Sequence, residues 1–289
     1  MFEQFIINGL ITGVLYSLLA IGFALVYNIT KVFHVASAAI YVFAAYAFWL
    51  FSNRLGFPVW IGLPVSLILT MALSLVVEVG VYRPLKARRS SLNVAMIASI
   101  GVMTVIVNLI AMFFGNETKV ISNEVMRVYT LGDIIITTPQ MLQLVVGVIA
   151  LAAFLIFISK TGWGVRLRAV SCDDGLYETL GYSLDGARTL VFLLSGLFIA
   201  LASCLTVFDV GLDPHMGMNV LINAMVAMII GGVERFGACV IGGLILGVLQ
   251  SLVVFQFASN WQNAITFLVL LIFLFFRPQG IAGYKQRTV

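Results

Sequence analysis

Charge is what this sequence has least of. Asp, Glu, Lys and Arg make up 10% of its 289 residues, against 62% hydrophobic. A soluble domain runs near half apolar and about a quarter charged. A chain so composed cannot cover a water-facing surface with polar groups, which excludes a soluble domain and makes lipid the solvent for most of it. Basic runs interleaved with aromatics are also missing, so the net charge of +4 reads as membrane sidedness and not as a nucleic-acid footprint. No GxxxxGK[ST] string occurs, so the chain has no phosphate-cradling loop of its own. HExxH and CxxC are absent, and the three cysteines (Cys172, Cys204, Cys239) lack disulfide or metal spacing and read as small thiols. No cofactor or metal is expected in the chain itself.

The only histidines, His34 and His215, fall near the ends of apolar stretches and are expected at the interface. No nucleophile–base pair stands at helical spacing, which argues against an intramembrane enzyme. Ionisable groups at mid-depth mark proton relays, and here none is expected there. Glu78, five residues before Arg83, sits near a boundary where it can snorkel or pair. A sodium site built from backbone carbonyls would leave no such trace. Energy for uphill transport is expected from another subunit.

What is present is a series of apolar segments, at about 5–27, 34–52, 58–82, 93–114, 139–158, 189–208, 217–232, 238–256 and 262–276. Most have the ~20 residues that a helix needs to cross ~30 Å of hydrocarbon. They do not alternate as barrel strands do. The expected fold is all-α, a polytopic transmembrane bundle of about eight to ten segments, some short or broken. The first segment lacks a basic lead and a small-residue cleavage site and is expected to be retained. Basic residues crowd three regions: Arg83 to Arg89, Lys160 to Arg188, and Arg277 to Arg287. These are expected on the cytoplasmic side. Nine crossings then leave only Arg54, Lys119 and Arg127 outside, with the N-terminus outside and the C-terminus cytoplasmic. Small residues four apart (Gly9 and Gly13, Gly243 and Gly247, Ala238 and Gly242) predict close helix packing.

Two segments are irregular. Residues 217–232 are short for a crossing and carry Asn219 and Asn223; residues 34–46 are rich in alanine. Shortened or broken helices in both halves of a transporter point to its substrate site, although small residues also serve packing alone. Ser37, Tyr41, Asn219 and Asn223 are the expected path-lining residues, because polar groups in a membrane belong inside.

The inside loop from Lys160 to Arg188 mixes apolar positions with Arg168, Asp173, Asp174 and Glu178. From Arg166 to Leu180 it predicts one short amphipathic helix, with Leu176, Tyr177 and Leu180 along an apolar edge and Gly181 as the stop. Gly175 weakens its continuity. Such a helix fits either a partner's groove or a lipid surface. Its three acidic residues favour the protein partner.

Taken in order, NGLITGVLYSLLAIGFALVYNI, YRPLKARRSS, GWGVRLRAV followed by ETLGYS, GGVERFGACVIGGLILG and FRPQGIAG resemble a permease subunit of the branched-chain amino acid type of ABC importer. That family also serves urea and short amides, and the resemblance spans nearly the whole chain. It implies one transmembrane permease domain over 1–289, with a cytoplasmic coupling segment at about 160–188, in the bacterial inner membrane. It implies a paralogous second permease, two cytoplasmic ATP-binding cassette subunits that bind ATP and Mg, and a periplasmic solute-binding protein. The implied ATPase-coupling positions are Arg168, Ala169, Asp173, Leu180 and Gly181, with Tyr177 where the family commonly has a small residue. The family's intramembrane histidine and glutamate fall on Ser37 and Ala39 here. That departure implies a changed substrate class or polar groups supplied by the partner permease. The implied function is import of a branched-chain or other neutral amino acid. The alternative is an ATP-independent channel for a urea- or amide-like solute.

Overall fold

The computed structural model describes residues 2–121, 128–131, 134–233, 235–257, 261–277 and 280–281. All nine apolar segments are helical. In order they are α1 (Phe2–Thr30), α2 (Ser37–Trp49), α3 (Val59–Val77), α5 (Leu92–Phe114), α6 (Thr138–Lys160), α9 (Leu184–Val210), α10 (Met216–Gly231), α11 (Phe236–Gln256) and α12 (Gln262–Phe276). Three short helices sit between them: α4 (Arg83–Ala87), α7 (Gly162–Cys172) and α8 (Asp174–Thr179). α2 ends in a π-helical turn at Leu50–Arg54, and α3 runs through another at Glu78–Tyr82 into α4. Among the described residues, six stretches are long and apolar enough to cross a membrane: α1, α3 through α4, α5, α6, α9 and α11. α10 and α12 are shorter apolar helices. The chain is an all-α polytopic membrane bundle. Its small exception is a hairpin, β1 (Val128–Leu131) against β2 (Ile134–Thr137), antiparallel with Val128 opposite Thr137. Arg127, Lys285 and Arg287 lie outside the described residues, as do Glu234, Pro278 and Gln279 of the quoted motifs.

The described chain falls into two compact units. One holds residues 1–24, 123–155 and 222–289, the other 25–122 and 156–221. In the first, the small-residue spacing does what it predicts. A Cβ on Gly9 would lie 2.9 Å from Ser251 Cβ and Val248 Cα, and one on Gly13 would lie 2.9 Å from Leu244 Cα. Cβ atoms on Gly243 and Gly247 would run into the backbone of Ser17 and Gly13. The α1 and α11 backbones therefore pack directly, which in lipid replaces the missing hydrophobic drive with dispersion contacts. Ser17 Oγ donates to Gly13 O at 2.7 Å and Val240 O at 2.9 Å, closing the same seam. The Gln4 carboxamide pairs with Ile135, donating to its carbonyl at 2.8 Å and accepting from its amide at 2.7 Å, and so anchors the hairpin to α1.

In the second unit, α2, α3 and α9 form the core. α3 and the π-helical turn that continues it bring Ser66, Thr70, Ser74 and Glu78 inward at i, i+4 spacing, all fully buried. Each hydroxyl has an acceptor: Ala44 O for Ser66, Ser66 O for Thr70 and Phe192 O for Ser74. Gly196 of α9 faces this row, where a Cβ would lie 2.9 Å from Ser74 Cβ. His34 lies inside the protein. α1 stops at Thr30, Lys31 takes φ 55°, and the chain crosses inside the bundle before α2 begins. His34 is therefore fully buried between the rings of Tyr82 and Phe192. Its Nδ1 is 2.7 Å from Tyr82 Oη, which donates onward to Ser99 Oγ at 2.8 Å.

Candidate functional site

The segment expected as one amphipathic helix is two. α7 starts at Thr161, whose Oγ1 accepts from Gly164 N at 3.0 Å. It buries Gly164, Leu167 and Val170 and leaves Arg166, Arg168 and Ala169 exposed. The helix breaks at Asp173, which is extended (φ −155°, ψ 107°). The cause is capping: Asp173 Oδ1 accepts the Leu176 amide at 2.9 Å and begins α8, a bond available only where the residue leaves helical geometry. α8 closes as expected at Gly181, where φ +82° needs no Cβ.

Two-part construction sets the faces. Tyr177 is buried and stacks on Tyr182, ring centroids 5.2 Å apart. Arg166 lies over the same Tyr182 ring at 5.1 Å and over Trp163 at 4.9 Å. Leu176 and Leu180, 59% and 67% exposed, then project with nothing covering them. Of the expected coupling residues, Arg168, Ala169, Asp173, Leu180 and Gly181 are exposed, and Tyr177 is the internal prop.

A short step away in sequence, α9 begins under a clamp. Arg188 Nε is 2.8 Å from Glu78 Oε1, and its Nη2 is 3.3 Å from Oε2. Arg83 adds a bond from Nη2 to Thr189 Oγ1 at 2.5 Å. Glu78 does find a partner, but neither it nor Arg188 reaches water: both are buried. Arg188, counted from sequence among the loop cations, belongs to the bundle.

The expected path residues divide between the units. Ser37 and Tyr41 are buried in α2, and Ser37 Oγ donates to His34 O at 2.6 Å. Asn219 is exposed near the start of α10, whose Gly217 packs on the Ala38 carbonyl. Asn223 is buried in the other unit, within a network that sequence reading missed. At its centre Gln250, 1% exposed, uses its whole carboxamide. Oε1 accepts from Tyr16 Oη at 2.8 Å and Gln262 Nε2 at 3.0 Å. Nε2 donates to Asn223 Oδ1 at 3.1 Å and Thr266 Oγ1 at 2.5 Å. A cavity of about 180 Å³ opens beside it, lined by Asn8, Thr12, Ser251 and Gln262 among others. The available signal was one glutamine inside the apolar run of α11; its partners, up to 234 positions away, carry no local mark.

Residues 5–274 match the family described as branched-chain amino acid transport system / permease component. The chain belongs to this family. The permease is 27% identical to the high-affinity branched-chain amino acid transport system permease protein BraD of Pseudomonas aeruginosa, over 98% of this chain and 96% of that one. It is also 27% identical to the corresponding permease protein LivH of Salmonella typhimurium, over 99% and 96%. Among solved structures, PsaBC from Streptococcus pneumoniae in complex with Fab aligns over 94% of this chain and 91% of that chain, with a TM-score of 0.54 and 17% identity. That last likeness speaks to the fold alone. The matched span contains the α7–α8 hook, the Glu78–Arg188 clamp and the Gln250 network of the permease.

Proposed function

We propose that this chain is the membrane-spanning permease subunit of an ATP-binding cassette importer that carries a branched-chain or other neutral amino acid across the bacterial inner membrane. The observation that carries the reading is the hook: a capped short helix that holds Leu176 and Leu180 out from the bundle, one turn ahead of the clamped start of α9. An exposed leucine pair on a rigid mount suits the groove of a partner. The chain has no nucleotide loop of its own, so the partner it suits is a cytoplasmic ATP-binding cassette subunit. Two such subunits bind ATP and Mg; a paralogous permease pairs with this one, and a periplasmic binding protein delivers solute.

In this scheme closure of the two cassettes pushes on α7 and α8. Tyr177 and the Tyr182 stack transmit the push to α9 instead of letting the hook fold under it. The Glu78–Arg188 clamp passes it to α3, and the permease halves rock about a central path. Ser37, Tyr41, Asn219 and Asn223 line that path. The hook and the C-terminus face the cytoplasm, and the N-terminus faces outward.

Reconstitution in liposomes tests the function. The complete complex accumulates leucine only with ATP and binding protein present. Downhill flux through this chain alone, without partners, would instead establish the channel for a urea- or amide-like solute.

A further inference from the structure

The membrane helices differ in where they put their polar residues. α3 and the turn that follows it hide Ser66, Thr70, Ser74 and Glu78 completely and leave Trp60, Ile68 and Val76 exposed. α6 hides Gln143 and shows Val145, Val148, Ile149 and Ile156. Both follow the rule for a lipid-facing helix: polar side in, apolar side out. α5 breaks it. Its Ser99 is buried, but Gly101, Thr104, Val105 and Asn108 form an exposed row along the outer face.

Asn108 is the informative member. It lies six residues from the end of α5 at Phe114, or ~9 Å along the axis, too deep for its short side chain to reach the headgroups. Asn108 Nδ2 donates to Thr104 O at 2.8 Å. Oδ1 and the second amide hydrogen have no partner among the described residues. Thr104 Oγ1 turns back to Ile100 O at 3.0 Å. Hydrocarbon satisfies none of these groups, and an unpaired carboxamide in it is costly. One turn before Thr104, a Cβ on Gly101 would meet nothing within 4 Å, so a neighbouring backbone can come close there.

We propose that the Gly101–Thr104–Asn108 face of α5 is the seam against the second permease subunit. This rests on the reading of the chain as one half of a permease pair, and it names the surface that makes the pair. The occupant is a transmembrane helix with its own hydrogen-bonding side chain at the depth of Asn108. A carboxamide offers a donor and an acceptor together, so it can pair with a hydrogen-bonding side chain at the matching depth across the pseudo-two-fold axis that relates two paralogous permeases. The acyl chains that suit α3 and α6 offer neither.

Cysteine cross-linking in membranes containing the whole importer tests the seam, in a Cys172→Ser background. Asn108→Cys, combined with a cysteine at the aligned position of the partner permease and treated with a short bismaleimide, gives an adduct of the two permease chains, identified by mass spectrometry. Thr104→Cys, on the same face and paired with its own aligned partner cysteine, gives the same adduct, and Ile156→Cys on α6 with its aligned partner cysteine gives none. The proposal is overturned if both α5 variants stay uncross-linked while a fluorophore at 108 is quenched by spin-labelled lipid. It is equally overturned if Ile156→Cys is the variant that joins the chains. If the purified importer contains a single permease chain by native mass spectrometry, it is the paired-permease reading itself that fails.

Discussion

Arg188 Nε lies 2.8 Å from Glu78 Oε1, 110 residues back in sequence, and both side chains are buried. Breaking one side of such a pair leaves an uncompensated charge, at a cost of ~3–5 kcal/mol, whereas replacing both sides with apolar groups is often near neutral. Glu78→Ala should therefore lower the apparent melting temperature of the detergent-solubilised permease sharply, and Glu78→Met with Arg188→Met should restore most of it. If the pair also relays motion, the double variant remains folded while ATP-driven uptake falls. Full uptake by a stable double variant would remove the clamp from the mechanism.

The α1–α11 seam makes a second prediction. A Cβ on Gly247 would collide with the Gly13 backbone, and overpacking of this kind costs ~1–3 kcal/mol or more. Gly247→Leu should sharply reduce the monodisperse fraction on size-exclusion chromatography. Gly80→Ala, at a site open on the outer face, should leave it unchanged.

Gln250→Leu removes four hydrogen bonds at once and leaves Tyr16, Asn223, Gln262 and Thr266 without their shared partner. Each net bond is worth ~1 kcal/mol, and orphaned buried groups add more. Thermal unfolding should show Gln250→Leu more destabilising than Tyr16→Phe, which removes one hydroxyl that donates to Gln250 and accepts from Asn223. Equal effects would mean that the network does not act as a unit.

Much of this architecture could be read from sequence because it is periodic or compositional. Apolar runs located all nine apolar helices, six of them long enough to cross a membrane, and Gly9, Gly13, Gly243 and Gly247 announced a seam because their spacing is local. Capping residues were legible as well: Gly181 ended α8 where expected. Asp173 was read as a coupling residue but not as a helix breaker, since its side-chain bond to Leu176 N competes with the helix that its neighbours favour. Contacts between distant segments were hidden. Nothing near Arg188 says that it leaves the loop for Glu78, and nothing near Gln250 names Tyr16. His34 stands at the edge of an apolar run, and the inward turn after Thr30 that buries it against Tyr82 and Phe192 carries no hydropathy signal.

The central claim is that the permease takes its power through the exposed edge of α8. The most direct measurement is co-purification of the cytoplasmic ATP-binding cassette subunits with affinity-tagged permease, compared between the wild type and Leu176→Asp with Leu180→Asp. These leucines are exposed, so the variant should fold with an unchanged melting temperature. The account predicts that the ATPase subunits accompany the wild type in detergent and are lost from the variant. ATPase subunits retained in full by a folded variant, or absent from the wild type, would contradict it.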